Sequence, residues 1–186
     1  MRCSVVILNW NGAEMLRRYL PSVVQYTTDA DTEVVVADNG STDESLEVLK
    51  AFPTVRVLPF TENHGFAGGY NRALNEIDST YSVLLNSDVE VTNHWLDPLL
   101  TYLDEHLEVA AVQPKILSWH SKENGDSPIL FEYAGAAGGF MDCLGYPYCR
   151  GRLLSTVEAD AGQYDTNTDI FWASGACLCV RTKIYK

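Results

Sequence analysis

Two aspartates, Asp38 and Asp88, each close an apolar run, in "VVVADNGSTDES" and "VLLNSDVEV". A carboxylate at the end of a strand can serve a turn or a ligand. Asn, Ser and Asp all favour turns, so Asn86-Ser87-Asp88 fits a turn. Asp88 fits equally a site for Mg²⁺ or Mn²⁺, hard cations that take one or two carboxylates together with phosphate oxygens and water. Such a cation would hold a nucleotide diphosphate, with Asn86 two residues earlier orienting nucleotide or water. Asp-Asn-Gly at 38–40 is likewise a strong turn signal. The Asp38 carboxylate can also accept a hydrogen bond from a nucleobase imide N–H, which separates uracil and thymine from other bases. Ser41 and Glu44 have capping-box spacing and predict a helix start there.

Two further segments stand beside these carboxylates. "NWNG" supplies Asn9 and Asn11 after the first apolar run. "NHGFAGGYNRAL" places Gly65, Gly68 and Gly69 at a helix start, where glycine lets a backbone approach a ligand and the helix N-terminus favours phosphate. It matches neither the dinucleotide fingerprint nor the phosphate loop. Tight helix–strand packing explains the same glycines. His64 reads as a loop residue.

The elements that must position these residues follow from hydrophobic periodicity. Strands are predicted at 3–8, 33–37, 55–60, 81–85 and 109–114. A helix carries Met15, Leu16, Tyr19, Leu20, Val23 and Val24, with Pro21 inside it as a kink or a second start. Further helices are predicted at 43–51, 67–77 and 93–106. Apolar strands alternating with helices imply a mostly parallel sheet covered on both faces. In such sheets ligands bind beyond the carboxyl ends of the strands, where these four polar clusters fall.

After Pro114 the rhythm changes. A hydrophilic loop with an Asn124-Gly125 turn signal precedes the glycine- and aromatic-rich stretches 129–142 and 144–152, suited to irregular or hairpin structure. Residues 155–168 read as an acidic loop and 170–181 as a further strand. Thr182 is placed as the N-cap of a helix, and the chain is expected to continue beyond Lys186.

The composition narrows the function. The 186 residues are 46% hydrophobic, enough for one sizeable core. Thirteen Lys and Arg against 25 Asp and Glu give a net charge of −12, which argues against nucleic acid as a partner. The five cysteines lack CxxC spacing and predict reduced thiols and a cytoplasmic setting, with only weak support for a zinc site. No apolar run is long enough to span a bilayer.

Taken together, "SVVILNWNG", "VVVADNGSTDES", "NHGFAGGYNRAL", "LLNSDVEV" and "FWASGACLCVR" resemble the family-2 inverting glycosyltransferases of the GT-A fold, a Rossmann-like α/β architecture. They are most similar to the rhamnosyltransferase-like branch. The resemblance covers nearly the whole chain, with 115–168 matching loosely. It implies a single domain, with 1–114 binding nucleotide and 115–186 on the sugar and acceptor side. It implies a nucleotide-diphospho-sugar donor (UDP- or dTDP-sugar, dTDP-rhamnose by branch), a divalent metal, and a saccharide or lipid-linked acceptor of cell-surface polysaccharide synthesis. The full-length protein would work in the cytoplasm, at the inner face of the membrane.

Asp38 resembles the base-recognising aspartate, and Asn9, Asn11, Gly65, Gly68, Asn71 and Asn86 fall at donor-nucleotide positions. Asn86-Ser87-Asp88 stands where the family carries D-x-D, with Asp88 as the metal carboxylate and Asn replacing the first Asp. Trp172, Gly175 and Ala176 resemble the floor of the sugar and acceptor site, although Trp172 also reads as a core aromatic. The catalytic base is expected beyond Lys186, since Glu158, Asp160, Asp165 and Asp169 match no base motif, so this chain is expected to transfer little or no sugar. Two other readings stand beside this one. A sugar-phosphate nucleotidyltransferase would need a basic glycine-rich loop after strand one, which is missing, and a nucleotide-sugar-binding module would need no base at all.

Overall fold

A computed structural model describes residues 1–133 and 136–186. Ala134 and Gly135, within the glycine-rich stretch read above as irregular or hairpin, lie outside the described residues. In chain order the elements begin β1 (Cys3–Asn9), α1 (Ala13–Tyr26), β2 (Thr32–Asp38), α2 (Ser45–Leu49), β3 (Arg56–Pro59) and α3 (Gly65–Asn75). Next come β4 (Tyr81–Asn86), α4 (Asp97–Glu105), β5 (Ala111–Val112), α5 (Trp119–Asn124) and β6 (Gly139–Met141). The last are β7 (Pro147–Cys149), β8 (Arg152–Leu153), β9 (Thr156–Val157), β10 (Cys177–Arg181) and α6 (Thr182–Tyr185).

The chain forms two compact units, residues 1–112 with 179–186, and residues 113–178. In the first unit a six-stranded sheet has the order β3-β2-β1-β4-β10-β5. β1 pairs in parallel with both β2 and β4, and β2 with β3. Val5, Val6 and Ile7 of β1, Val34 to Ala37 of β2 and Val83 to Leu85 of β4 are all buried, as a sheet covered on both faces requires. The helices bury single stripes: Leu16, Tyr19, Leu20 and Val23 on α1, and Leu99, Leu100 and Leu103 on α4. α1 is one helix that runs through Pro21.

Three expectations need correction. The fifth strand is only two residues long and pairs antiparallel with β10 at the sheet edge, because β10 takes the place beside β4. The segment 170–181 is a strand only from Cys177. Just before it the Ser174 hydroxyl accepts the Ala176 N–H, a local bond that competes with strand pairing. Thr182 does not cap α6. Its hydroxyl lies 2.7 Å from that of Ser82, and Arg181 holds the cap position.

The Arg181 side chain serves the sheet's far end. Its guanidinium donates to the carbonyls of Leu103 (2.5 Å) in the last turn of α4, and of His106 (2.9 Å) and Val109 (2.8 Å) in the segment that follows it. The second unit is built around a four-stranded sheet, β6-β7-β8-β9, whose neighbouring strands pair antiparallel. Phe131, Ala136 and Ala137 form its buried cluster, packed by Val157 and Tyr164. The stretch expected as a hydrophilic loop holds α5. Ser118 Oγ accepts the Ser121 N–H, and Gly125, at φ +75°, ends the helix in the left-handed region. The Asn-Gly signal is thus a helix C-cap.

Replacing Arg181 with Ala removes the side-chain donor from all three carbonyls, leaving His106 only the Val109 N–H, and hydrogen bonds to charged groups contribute roughly 1.5–3 kcal/mol. We expect a loss of about 2 kcal/mol in urea unfolding of the chain with no change in m-value.

Candidate functional site

The parallel register dictates what meets at the carboxyl ends. Asn9 and Asp38, the last residues of β1 and β2, are direct register partners, so their side chains stand on one face of the sheet. Asn9 has no exposed surface and Asp38 is 1% exposed. A carboxylate buried this deeply needs donors. Asn9 Nδ2 donates to Asp38 Oδ1 at 2.9 Å, and the Ser41 backbone N–H donates to Oδ2 at 3.1 Å. The Asn39 N–H also donates to the Asn9 carbonyl at 2.7 Å.

The ladder continues into the loops. Ser41 Oγ accepts from Asn9 Nδ2 (3.2 Å) and from the Asn11 backbone N–H (2.9 Å). Asn11, at φ +49°, returns its Oδ1 to the Thr42 N–H at 2.7 Å. Asp43 receives the Ala13 N–H at the start of α1 (3.0 Å) and the Ser45 N–H at the start of α2 (2.9 Å). Desolvation pushes the Asp43 carboxyl up, but the bonds from Ser45 and Ala13 outweigh it and hold the group below its ordinary range. The capping box is therefore absent. Ser41 is spent on the first loop, and Glu44 occupies the α2 cap position without a side-chain bond and pairs with Arg17. A surface depression of about 380 Å³ opens beside this ladder, lined by Asn11, Gly12, Asp43 and Glu44 among others.

Asn39, read only as the middle of a turn, joins the second loop to the third. Its Nδ2 donates to Asn63 Oδ1 (2.9 Å) and the Gly65 carbonyl (3.2 Å), and its Oδ1 accepts the His64 N–H (3.0 Å). Gly40, at φ +73°, lies so close to Glu62 that a Cβ would sit 2.6 Å from a backbone carbon. Gly65, at φ +70°, opens α3 into free space. Gly69 is a packing glycine, since a Cβ would come within 2.7 Å of Leu8. Asn71 is exposed on α3, and Gly68 is half-buried.

On the other side of β1, Asn86 ends β4 in register with Leu8, which sets its side chain on the sheet face opposite Asn9 and Asp38. Asp88 lies exposed in the following turn. Among the described residues no three His, Cys, Asp or Glu side chains gather as a preformed metal cage. A lone exposed carboxylate fits the mode in which Mg²⁺ or Mn²⁺ takes most ligands from phosphate and water. A residue passed over in the sequence, Trp10, stands 58% exposed between Asn9 and Asn11. The signal available in the sequence was a tryptophan set between two asparagines directly after an apolar run.

Trp172, Gly175 and Ala176 belong to the second unit. The Trp172 indole lies where a Cβ on Gly139 would be and donates its N–H to the Phe140 carbonyl at 3.2 Å, so it has a packing role there. Asp160 and Asp165 are tied to Lys115 at 2.7 and 2.5 Å, and Glu158 accepts the Tyr164 hydroxyl at 2.9 Å. The Lys115 bond holds the Asp160 carboxyl below its ordinary range.

This fold, a mostly parallel sheet with polar strand ends converging at one edge, is the α/β GT-A fold of nucleotide-sugar transferases. Residues 4–155 match the model of the family described as Glycosyl transferase family 2, and the chain belongs to that family. An uncharacterized glycosyltransferase, YfnE of Bacillus subtilis, is 39% identical over 92 residues, covering 48% of this chain and 24% of that protein. An N-acetylglucosaminyl-diphospho-decaprenol L-rhamnosyltransferase of Mycobacterium tuberculosis is 23% identical over 193 aligned positions, covering 97% of this chain and 62% of that protein. The chain thus spans less than two thirds of the length of either. Among solved structures, S. aureus TarS residues 1–349 in complex with UDP-GlcNAc superposes with a TM-score of 0.57 at 23% identity, over 62% of this chain and 34% of that one. The mannosyltransferase PcManGT of Pyrobaculum calidifontis, in complex with GDP-Man and Mn²⁺, gives 0.54 at 23% identity over 66% and 37%.

Gly12 is the ladder's tightest point, because a Cβ there would sit 2.4 Å from Asn9 Oδ1. Gly12→Ala should destabilise the chain by about 1–3 kcal/mol, the usual penalty of overpacking. In an Asn9→Ala background the same change should cost less than about 0.5 kcal/mol, read by urea unfolding of the four variants.

Proposed function

We propose that this chain carries the donor site of an inverting, metal-dependent glycosyltransferase that takes a nucleotide-diphospho-sugar, with a saccharide or lipid-linked acceptor of cell-surface polysaccharide synthesis. The observation that carries the reading is the gathering of Asn9, Asn11, Asp38 and Ser41 at one sheet edge, with Asp88 exposed at the next strand end. The rhamnosyltransferase named above, aligned along nearly the whole chain, supports rhamnose as the sugar and a lipid-linked acceptor, and dTDP-rhamnose is the donor we propose. A teichoic acid poly(glycerol phosphate) polymerase of Staphylococcus epidermidis, 28% identical over 98 residues, supports a cell-surface polymer as the pathway. We assign nucleotide binding to residues 1–114 and the sugar and acceptor side to residues 115–186, where Trp172, Gly175 and Ala176 fall. No described helix is long and apolar enough to cross a membrane. The cytoplasmic setting, at the inner face of the membrane, is part of the proposal.

Each residue then has a task. Asp38, its carboxylate already oriented by Asn9 and Ser41, accepts the imide N–H of the base. The exposed ring of Trp10 offers a face on which a base stacks, as aromatic side chains do with nucleobases. The first turn of α3, with Gly65 and Gly68, presents backbone N–H groups toward phosphate, and no acidic residue competes there. Asn71 and Asn86 bond the ribose or ordered water.

Asp88, with the diphosphate supplying the other ligands, is the residue that would hold Mg²⁺ or Mn²⁺. Bound there, the ion supplies charge stabilisation to the departing diphosphate. Inversion needs a carboxylate to take the proton from the attacking acceptor hydroxyl. Asp160, Asp165 and Glu158 are engaged by Lys115 and Tyr164, and none is assigned that role.

Calorimetry with UDP and dTDP, with and without Mn²⁺, tests the reading. Binding should strengthen at least about tenfold with Mn²⁺, and Asp88→Ala should remove that gain, as expected when one of few protein ligands is lost. Equal binding with and without the ion would sink the role of Asp88.

A further inference from the structure

Ser41 has one hydroxyl proton and two lone pairs to place. Both lone pairs are taken by protein donors, Asn9 Nδ2 at 3.2 Å and the Asn11 backbone N–H at 2.9 Å. The proton therefore cannot point at either, and the Ser41 hydroxyl donates to no described protein acceptor. The side chain is half-buried, next to the exposed Asn11 and Thr42.

The orientation behind this is fixed from beneath. Asn9 has no exposed surface, and its Oδ1 has no hydrogen-bond partner and lies 2.4 Å from where a Cβ on Gly12 would be. Flipping that amide would aim its oxygen at the Asp38 carboxylate and at Ser41 Oγ. Oxygen facing carboxylate oxygen is repulsive, so Nδ2 stays on the Asp38 side and keeps Ser41 an acceptor toward it. Beside this outward donor stands an acceptor. Two of the four lone-pair positions of Asp38 are filled, one on each oxygen, and its Oδ2 is bonded to the backbone N–H of Ser41 itself.

We propose that Ser41 is a specificity-determining residue that donates its hydroxyl to the base carbonyl while Asp38 accepts the adjoining ring N–H, so that the pair reads a lactam edge. This rests on the nucleotide-diphospho-sugar reading above and sharpens it. Uracil, thymine and guanine present a ring N–H beside a carbonyl. Cytosine and adenine present a bare ring nitrogen beside an amino group, which would set acceptor against Asp38 and donor against Ser41. Because Asp38 is almost wholly buried, the ring N–H meets it at the rim where Ser41 stands. Asn9 is then a positioning residue that never touches the nucleotide.

Calorimetric titration of UDP, GDP, CDP and ADP into the chain with Mn²⁺ present tests this, with the UDP-to-CDP affinity ratio as readout. The intact chain should favour UDP over CDP. Ser41→Ala should lower that ratio about five- to tenfold, the worth of one hydrogen bond, by weakening UDP and leaving CDP unchanged. Ser41→Thr, which keeps the hydroxyl, should restore it. Ser41→Cys, a weaker donor of similar shape, should fall between the two and carries the test if Ser41→Ala does not fold. GDP should bind above ADP for the same reason, and equal binding of the two purines would overturn the lactam-edge reading. An unchanged ratio in Ser41→Ala and Ser41→Cys, or equal weakening of UDP and CDP, would overturn the proposal and leave the donor site standing. Absence of binding by every nucleotide would overturn the donor reading as well.

Discussion

A carboxylate buried at the end of a strand survives only if its oxygens are given donors, and here the first donor is the amide of Asn9 on the neighbouring strand. Much of the edge depends on that contact. It requires β1 and β2 to be parallel and in the observed register, because a slip of one residue would send Asn9 to the other face. It also commits the second hydrogen of the Asn9 amide to Ser41, which draws the second loop onto the first. Asn39 then ties the second loop to the third. Three separate strand ends become one polar surface through side chains that are themselves buried or half-buried.

The same economy explains the small residues around it. Gly12 leaves room for the Asn9 oxygen, and Gly69 lets α3 approach Leu8. Neither glycine is needed for an unusual backbone angle. Gly40 is different, since its positive φ and its approach to the backbone at Glu62 both exclude a side chain. Rigid loops of this kind suit a donor site, where orientation of the ligand must be set before reaction. Asp88 is left outside the ladder, exposed and unburdened, as a residue must be if its charge is to serve a cation.

Much of this was legible in the residues. Continuous apolar runs such as "CSVVIL" and "EVVVA" read as buried parallel strands because both their faces are covered, and the polar clusters follow them directly. What escaped depends on partners distant in sequence. Ser41 has the spacing of a helix cap, but a cap and a cross-loop acceptor use the same oxygen, and Asn9 and Asn11 claim it. Asn124-Gly125 signals a left-handed residue without saying whether a turn or a helix end needs it. The antiparallel pairing of β5 follows from β10, some 65 residues later, which no local pattern encodes. Trp172 has a packing partner in Gly139 that nothing in its own segment announces.

The central claim is that Asn9 and Asp38 act as one unit, and a double-mutant cycle with Asn9→Ala, Asp38→Ala and the double variant measures it by urea unfolding. Loss of a donor to a buried carboxylate should give a coupling of roughly 1.5–3 kcal/mol between the two positions. Additive effects, within about 0.5 kcal/mol, would show that the two side chains stand near each other without depending on each other and would contradict the account.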